Sequence, residues 1–153
     1  MKKAIVSLVL AVLIVTALSA CGGGGSGGQC PTTEPTNCIA GLSGEWTVTD
    51  TTHTSSDYCS GADGFVNTYT VGVTQVGCAI TVDTPVGTFH GFVDGNTLCW
   101  SGSYAFEGGT TTITGMTIQS NDPPTTFDGS SSWTWTDGVG NCEGSTTTTG
   151  TKS

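Results

Sequence analysis

Residues 65–94 read "FVNTYTVGVTQVGCAITVDTPVGTFHGFVD". Apolar and polar side chains alternate along three runs, and the breaks between the runs are short, at Gly77 and at Pro85. A period of two sends successive side chains to opposite faces of a strand, and breaks this short force neighbouring strands to pair antiparallel. In the first run Tyr69, Val71 and Val73 share a face, and in the second Ile80 and Val82 do so. The third is ambiguous, because Phe89 and Val93 face opposite to His90 and Phe92.

The same pattern extends outward in both directions. Upstream lies "GEWTVTDTT" (44–52), joined to the first run by the long polar stretch "HTSSDYCSGADG" (53–64). Downstream come "TLCWSGSYAFE" (97–107), "TTTITGMTIQS" (110–120), "TTFDGSSSWTWTD" (125–137) and "STTTTGTK" (145–152). Turn residues separate them at 94–96, 108–109 and 121–124, and the loop "GVGNCEG" (138–144) precedes the last. Eight strands in a meander escape exposed sheet edges by closing on themselves. The expected fold is therefore all-β, an eight-stranded antiparallel up-and-down barrel over residues 41–153. Composition agrees: after residue 21 there are two leucines, one methionine and 29 threonines, a poor supply of helix formers and a rich one of β-branched residues. Trp46 with Val48, the group Leu98, Trp100, Tyr104 and Phe106, and the group Phe127, Trp133 and Trp135 are assigned to the interior, with Thr and Ser outside. The opposite polarity would describe a membrane-spanning barrel, which six cysteines and the lack of aromatic girdles argue against.

The N-terminus carries a different signal. Lys2 and Lys3 precede an apolar run, "AIVSLVLAVLIVTALSA" (4–20), that ends in small residues. This is the pattern of a targeting segment, although its length also approaches that of a retained membrane anchor. Leu18-Ser19-Ala20-Cys21 resembles the bacterial lipobox, in which the cysteine is acylated and becomes the new N-terminus. The resemblance implies a lipoprotein signal peptide at 1–20 and lipidation of Cys21. Residues 21–40 then hold the acylated cysteine, a Gly/Ser tether and an entry segment. Each buried methylene of an acyl chain contributes about 0.8 kcal/mol, so several chains anchor stably where one does not. The expected location is the bacterial cell envelope. No acidic residue follows Cys21 to suggest inner-membrane retention, which favours the outer membrane.

With Cys21 set aside, Cys30, Cys38, Cys59, Cys78, Cys99 and Cys142 remain. Six cysteines in an exported domain suggest three disulfides, and the absence of any C-x-x-C pair argues against zinc. Cys59 and Cys142 fall on connections at one end, on strands that adjoin where the barrel closes, so they are expected to pair. The other four gather toward the opposite end. Cys99 alternates outward from Leu98 and Trp100, placed to hold the entry segment against the wall, and the three pairings among these four stay open.

Chemistry is sparse. Beyond the targeting segment Lys152 is the only basic residue, against twelve Asp and Glu. Nucleic acid is thereby excluded as a partner, and acyl chains are left as the evident membrane contact. No nucleophile elbow appears, and His53 and His90 read as structural or surface residues rather than general bases, so no enzyme activity and no cofactor are expected. Asp57, Asp63, Glu107, Asp137 and Glu143 should share the Cys59–Cys142 rim. Such oxygens could hold calcium, but solvated loop acids are the plainer reading, and no metal is expected.

Gly44-Glu45-Trp46, opening the first strand, resembles the G-x-W signature of lipocalins and the related avidins. The resemblance implies that Trp46 closes the barrel floor beneath a basic residue following the last strand, here Lys152. Trp46, Trp100, Tyr104, Trp133 and Trp135 are the candidate ligand-binding residues, with Gly102, Gly129 and Ser131 leaving room beside them. The leading expectation is a lipid-anchored, lipocalin-like barrel that binds a small apolar molecule. The alternative is a surface or periplasmic interaction or inhibitor module with a filled barrel and no small-molecule ligand.

Overall fold

The structure, a computed structural model, describes residues 30–153; the signal segment, Cys21 and the tether lie outside the described residues. Eight strands form: β1 (Gly44–His53), β2 (Val66–Val76), β3 (Ala79–Thr84), β4 (Gly87–Asp94), β5 (Thr97–Phe106), β6 (Gly109–Ser120), β7 (Thr126–Thr136) and β8 (Asn141–Lys152). They pair antiparallel in sequence order and close into a barrel through β8 and β1, with Trp46 opposite Lys152 and Asp50 opposite Thr148. The expected fold is the observed one.

Two segments differ from the sequence reading. The polar stretch after β1 contains a short 3₁₀ helix, Asp57–Ala62, and β8 begins four residues earlier than expected, at Asn141. Asn141–Gly144 look like loop because Gly and Asn dominate, yet they complete the ladder against Trp133–Thr136 of β7.

Alternation works as read. Trp46, Val48, Val71, Val73, Ile80 and Val82 are buried inside, and the ambiguous β4 turns Phe89 and Val93 inward while His90 stays exposed. Phe106 corrects the interior assignment: it ends β5 at the rim and is 48% exposed. β6 holds a bulge at Thr114, where the register against both neighbours shifts by one. That extra residue lets Ile113 pair opposite Trp133 and Met116 opposite Ser131, so positions of odd and even number both reach the core.

Interior glycines are not empty space. A Cβ on Gly150 would lie 2.2 Å from the ring of Phe127, its cross-strand partner, and one on Gly144 would lie 2.5 Å from the ring of its partner Trp133. On Gly102 it would meet the Phe89 ring at 2.8 Å, and on Gly129 the backbone of Thr117 and Ile118. Aromatic rings thus lie over glycines on the next strand and take up the space that a side chain there would use.

Three disulfides hold the barrel: Cys59–Cys142, Cys30–Cys99 and Cys38–Cys78. The first is the expected pair, and Cys99 does bind the entry segment. That segment is also fixed by backbone hydrogen bonds from Ile39 N to Gly95 O and from Gly95 N to Asn37 O. Glu34 accepts a further bond from the Cys78 amide at 2.8 Å.

Candidate functional site

The barrel has two unlike ends. One carries the β2–β3, β4–β5 and β6–β7 turns together with the entry segment, and it is sealed. Trp46 is 1% exposed, donates its Nε1 proton to Leu42 O at 2.9 Å, and packs on Phe127 with ring centroids 5.1 Å apart. Lys152 Nζ stands 5.8 Å from the Trp46 ring centroid and donates to Gly41 O. The expected cover of the floor by Lys152 is therefore present, combining a cation over an aromatic face with a hydrogen bond to the entering chain.

The other end carries the β1–β2, β3–β4, β5–β6 and β7–β8 turns. Inward alternation continues from Trp46 and Val48 to Asp50, whose carboxylate accepts one bond from the Tyr69 hydroxyl and one from the Thr148 hydroxyl, each at 2.6 Å. These three residues sit on β2, β1 and β8, so the acid laces the strands that close the barrel. Burial, and then the Asp50 carboxylate, push the Tyr69 phenol far above its ordinary range. Burial likewise raises Tyr104, whose hydrogen bond with Thr111 works the other way. Asp50 was not among the sequence candidates. Its signal was its position, two residues beyond Val48 on the inward face.

Above this layer an aromatic ridge runs across three connections. Tyr104 meets Phe106 edge-on at 6.4 Å, and Trp135 Nε1 donates to Phe106 O at 3.0 Å. Trp135 stacks with Tyr58 of the 3₁₀ helix at 6.1 Å, and the Tyr58 ring lies so close over Gly140 that a Cβ there would be 2.2 Å away. The Tyr58 hydroxyl donates to Asp137 at 3.4 Å. Backbone amides of Gly140 and Val139 also donate to Asp137 and hold its carboxyl below the usual carboxylate range.

The five candidate aromatics do not converge. Trp46 belongs to the sealed floor, and Trp100 is buried low in the wall, beside a groove of about 270 Å³ at the Cys30–Cys99 bridge. Tyr104, Trp133 and Trp135 are half-buried toward the open end. Trp133 borders a larger groove, about 610 Å³, between the β1–β2 connection and the ends of β7 and β8, with His53, Asp63 and Glu143 on its walls. His53 Nε2 lies 3.3 Å from the Thr147 hydroxyl, and His90 Nδ1 lies 3.3 Å from the Thr81 hydroxyl. Among the described residues neither imidazole hydrogen-bonds an acid, as a triad would require. Among the described residues, no group of three or more His, Cys, Asp or Glu is arranged to hold a metal ion. Comparison with family models, with curated proteins and with solved structures finds no match.

Proposed function

We propose that this protein is a lipid-anchored lipoprotein of the bacterial cell envelope whose barrel works as an interaction module, filled by its own side chains. The observation that carries the reading is the occupation of the interior glycine positions by the rings of Phe89, Phe127 and Trp133. An eight-stranded barrel is just wide enough either to be filled or to hold one small ligand, and here rings take up the room beside the glycines. The lipobox-like Leu18–Cys21 supplies the anchor. The lipocalin-like G-x-W opening, with Lys152 over Trp46, supports kinship of architecture. Two disulfides fasten the entry segment at the floor, so an acylated Cys21 would hold that end toward the membrane and present the opposite end outward.

A second reading keeps a small apolar ligand in the barrel. It is favoured by Tyr104, Trp133 and Trp135, which remain half-buried toward the open end. Native mass spectrometry of the full chain, purified from a bacterial host and incubated with host lipid and metabolite extract, separates the two. The expected spectrum shows acyl mass at Cys21, six hydrogens missing and no stoichiometric adduct. An adduct that disappears in a folded Trp133→Ala variant would overturn the filled barrel in favour of ligand binding. An unmodified Cys21 would remove the anchor.

A further inference from the structure

Five exposed apolar side chains stand on the connections of one end. Tyr58 and Phe65 belong to β1–β2, Val86 to β3–β4 and Val139 to β7–β8, and Phe106 ends β5 where it enters the β5–β6 turn. In an antiparallel meander these four connections must lie at the same end. Their exposure runs from 47% at Val86 to 94% at Val139. Apolar tips on all four connections of one end are more than the scattered surface residues that need no explanation. Three of the connections are joined by contact, through the Trp135 Nε1 bond to the Phe106 carbonyl, the stack of Trp135 on Tyr58 and the seat of Tyr58 on Gly140 beside Val139.

Each tip has an acid close by in the chain. Asp57 precedes Tyr58, Asp63 lies two residues before Phe65, Asp83 three before Val86, Glu107 follows Phe106, and Asp137 lies two before Val139. No lysine or arginine answers them: the only one among the described residues is Lys152, at the opposite end against Trp46. Asp137 is further fixed as an anion by the amides of its own turn. Exposed apolar side chains set beside charge of one sign, and no charge of the other, suit protein recognition, and the sign selects the partner. A lipid bilayer fits poorly. Its surface is anionic or neutral, and inserting the tips would drag the adjoining carboxylates toward hydrocarbon.

We propose that the open end docks a polypeptide partner whose contact face combines apolar side chains with Lys and Arg. The proposal rests on the interaction-module reading and specifies its partner. The acids steer the encounter and fix orientation, while Phe106, Tyr58 and Val139 supply the desolvated contact.

The test places a photo-crosslinking phenylalanine analogue at Val139 in the full chain, expressed in a bacterial host that carries the natural gene. A control chain carries the analogue at Val76, which is 74% exposed at the end of β2, at the opposite end of the barrel. The expected result is a discrete polypeptide adduct from position 139 and none from 76, with the crosslinked segment net basic by peptide mass spectrometry. Phe106→Ser, or separately Asp57→Asn with Glu107→Gln, should lower the yield at least about tenfold while monomer levels hold. An adduct to phospholipid, or equal yields at 139 and 76, would overturn the proposal. Capture of an acidic or neutral segment would overturn the partner's chemistry and leave the interaction module standing. Absence of any polypeptide adduct from 139, and from further chains carrying the analogue at Val86 or Phe65, would remove both.

Discussion

Gly150 shows how single residues set the interior. Its backbone does not need the left-handed region, so what excludes a side chain there is the Phe127 ring, 2.2 Å from where a Cβ would sit. Phe127 cannot simply retreat, because its ring also packs on Trp46, with centroids 5.1 Å apart. Gly150→Ala should therefore cost about 1–3 kcal/mol, the usual scale of overpacking. Gly61→Ala, in the 3₁₀ helix with nothing within 4 Å of its Cβ, should stay within about 0.5 kcal/mol of the parent. Urea denaturation with the disulfides intact measures both. If the ring is the obstacle, Phe127→Leu should recover part of the loss in the Gly150→Ala background, giving a coupling of about 0.5–3 kcal/mol. Strictly additive losses would mean that the backbone, not the ring, is what rejects a methyl group.

At the scale of elements, the Cys59–Cys142 bridge ties the β1–β2 connection to the start of β8, across the seam where the barrel closes. It links residues 83 positions apart, so in the chain-entropy model its removal should cost as much as about 4–5 kcal/mol. The double variant Cys59→Ser with Cys142→Ser should lose most of that, and protection of β1 and β8 amides in hydrogen exchange should fall before that of β4 and β5. A uniform loss of protection would assign the bridge to overall stability rather than to the seam. This element was readable because topology alone brings the two connections together. Strand positions were readable because turn residues punctuate a period-two pattern. Three features escaped. The start of β8 is hidden by Gly and Asn, which pair well only because β7 offers a ready ladder. The Thr114 bulge interrupts a period that gives no local sign of an extra residue. The filling of Gly102 and Gly129 depends on rings and backbone from other strands, which no single strand's sequence describes.

For the whole molecule, the open end couples closure to ionisation. Tyr69 lies in the interior with its hydroxyl donated to Asp50, and Tyr104 shares that layer. Burial is the chief reason that both phenols lose their protons only above the ordinary tyrosine range. The neutral form is therefore favoured by folding. That stability is complete below the unfolded pKa and is lost as pH climbs above it toward the folded values. Unfolding free energy should stay flat with respect to these groups through neutral pH and fall once pH passes about 10. Losing the proton at Tyr69 would also set a phenolate against the Asp50 carboxylate in the seam formed by β8, β1 and β2, so the barrel should open there. The measurement is a pH series of urea midpoints from 8 to 12, with tyrosinate absorbance recorded alongside. In the parent, the absorbance step of the buried phenols should coincide with the loss of β signal. In Tyr69→Phe the protein should be less stable at neutral pH, having lost a hydrogen bond to a charged group worth about 1.5–3 kcal/mol, but its alkaline decline should be shallower. Two parallel curves, lower by a constant amount, would show that Tyr69 contributes only its hydrogen bond, and that the alkaline limit is set elsewhere.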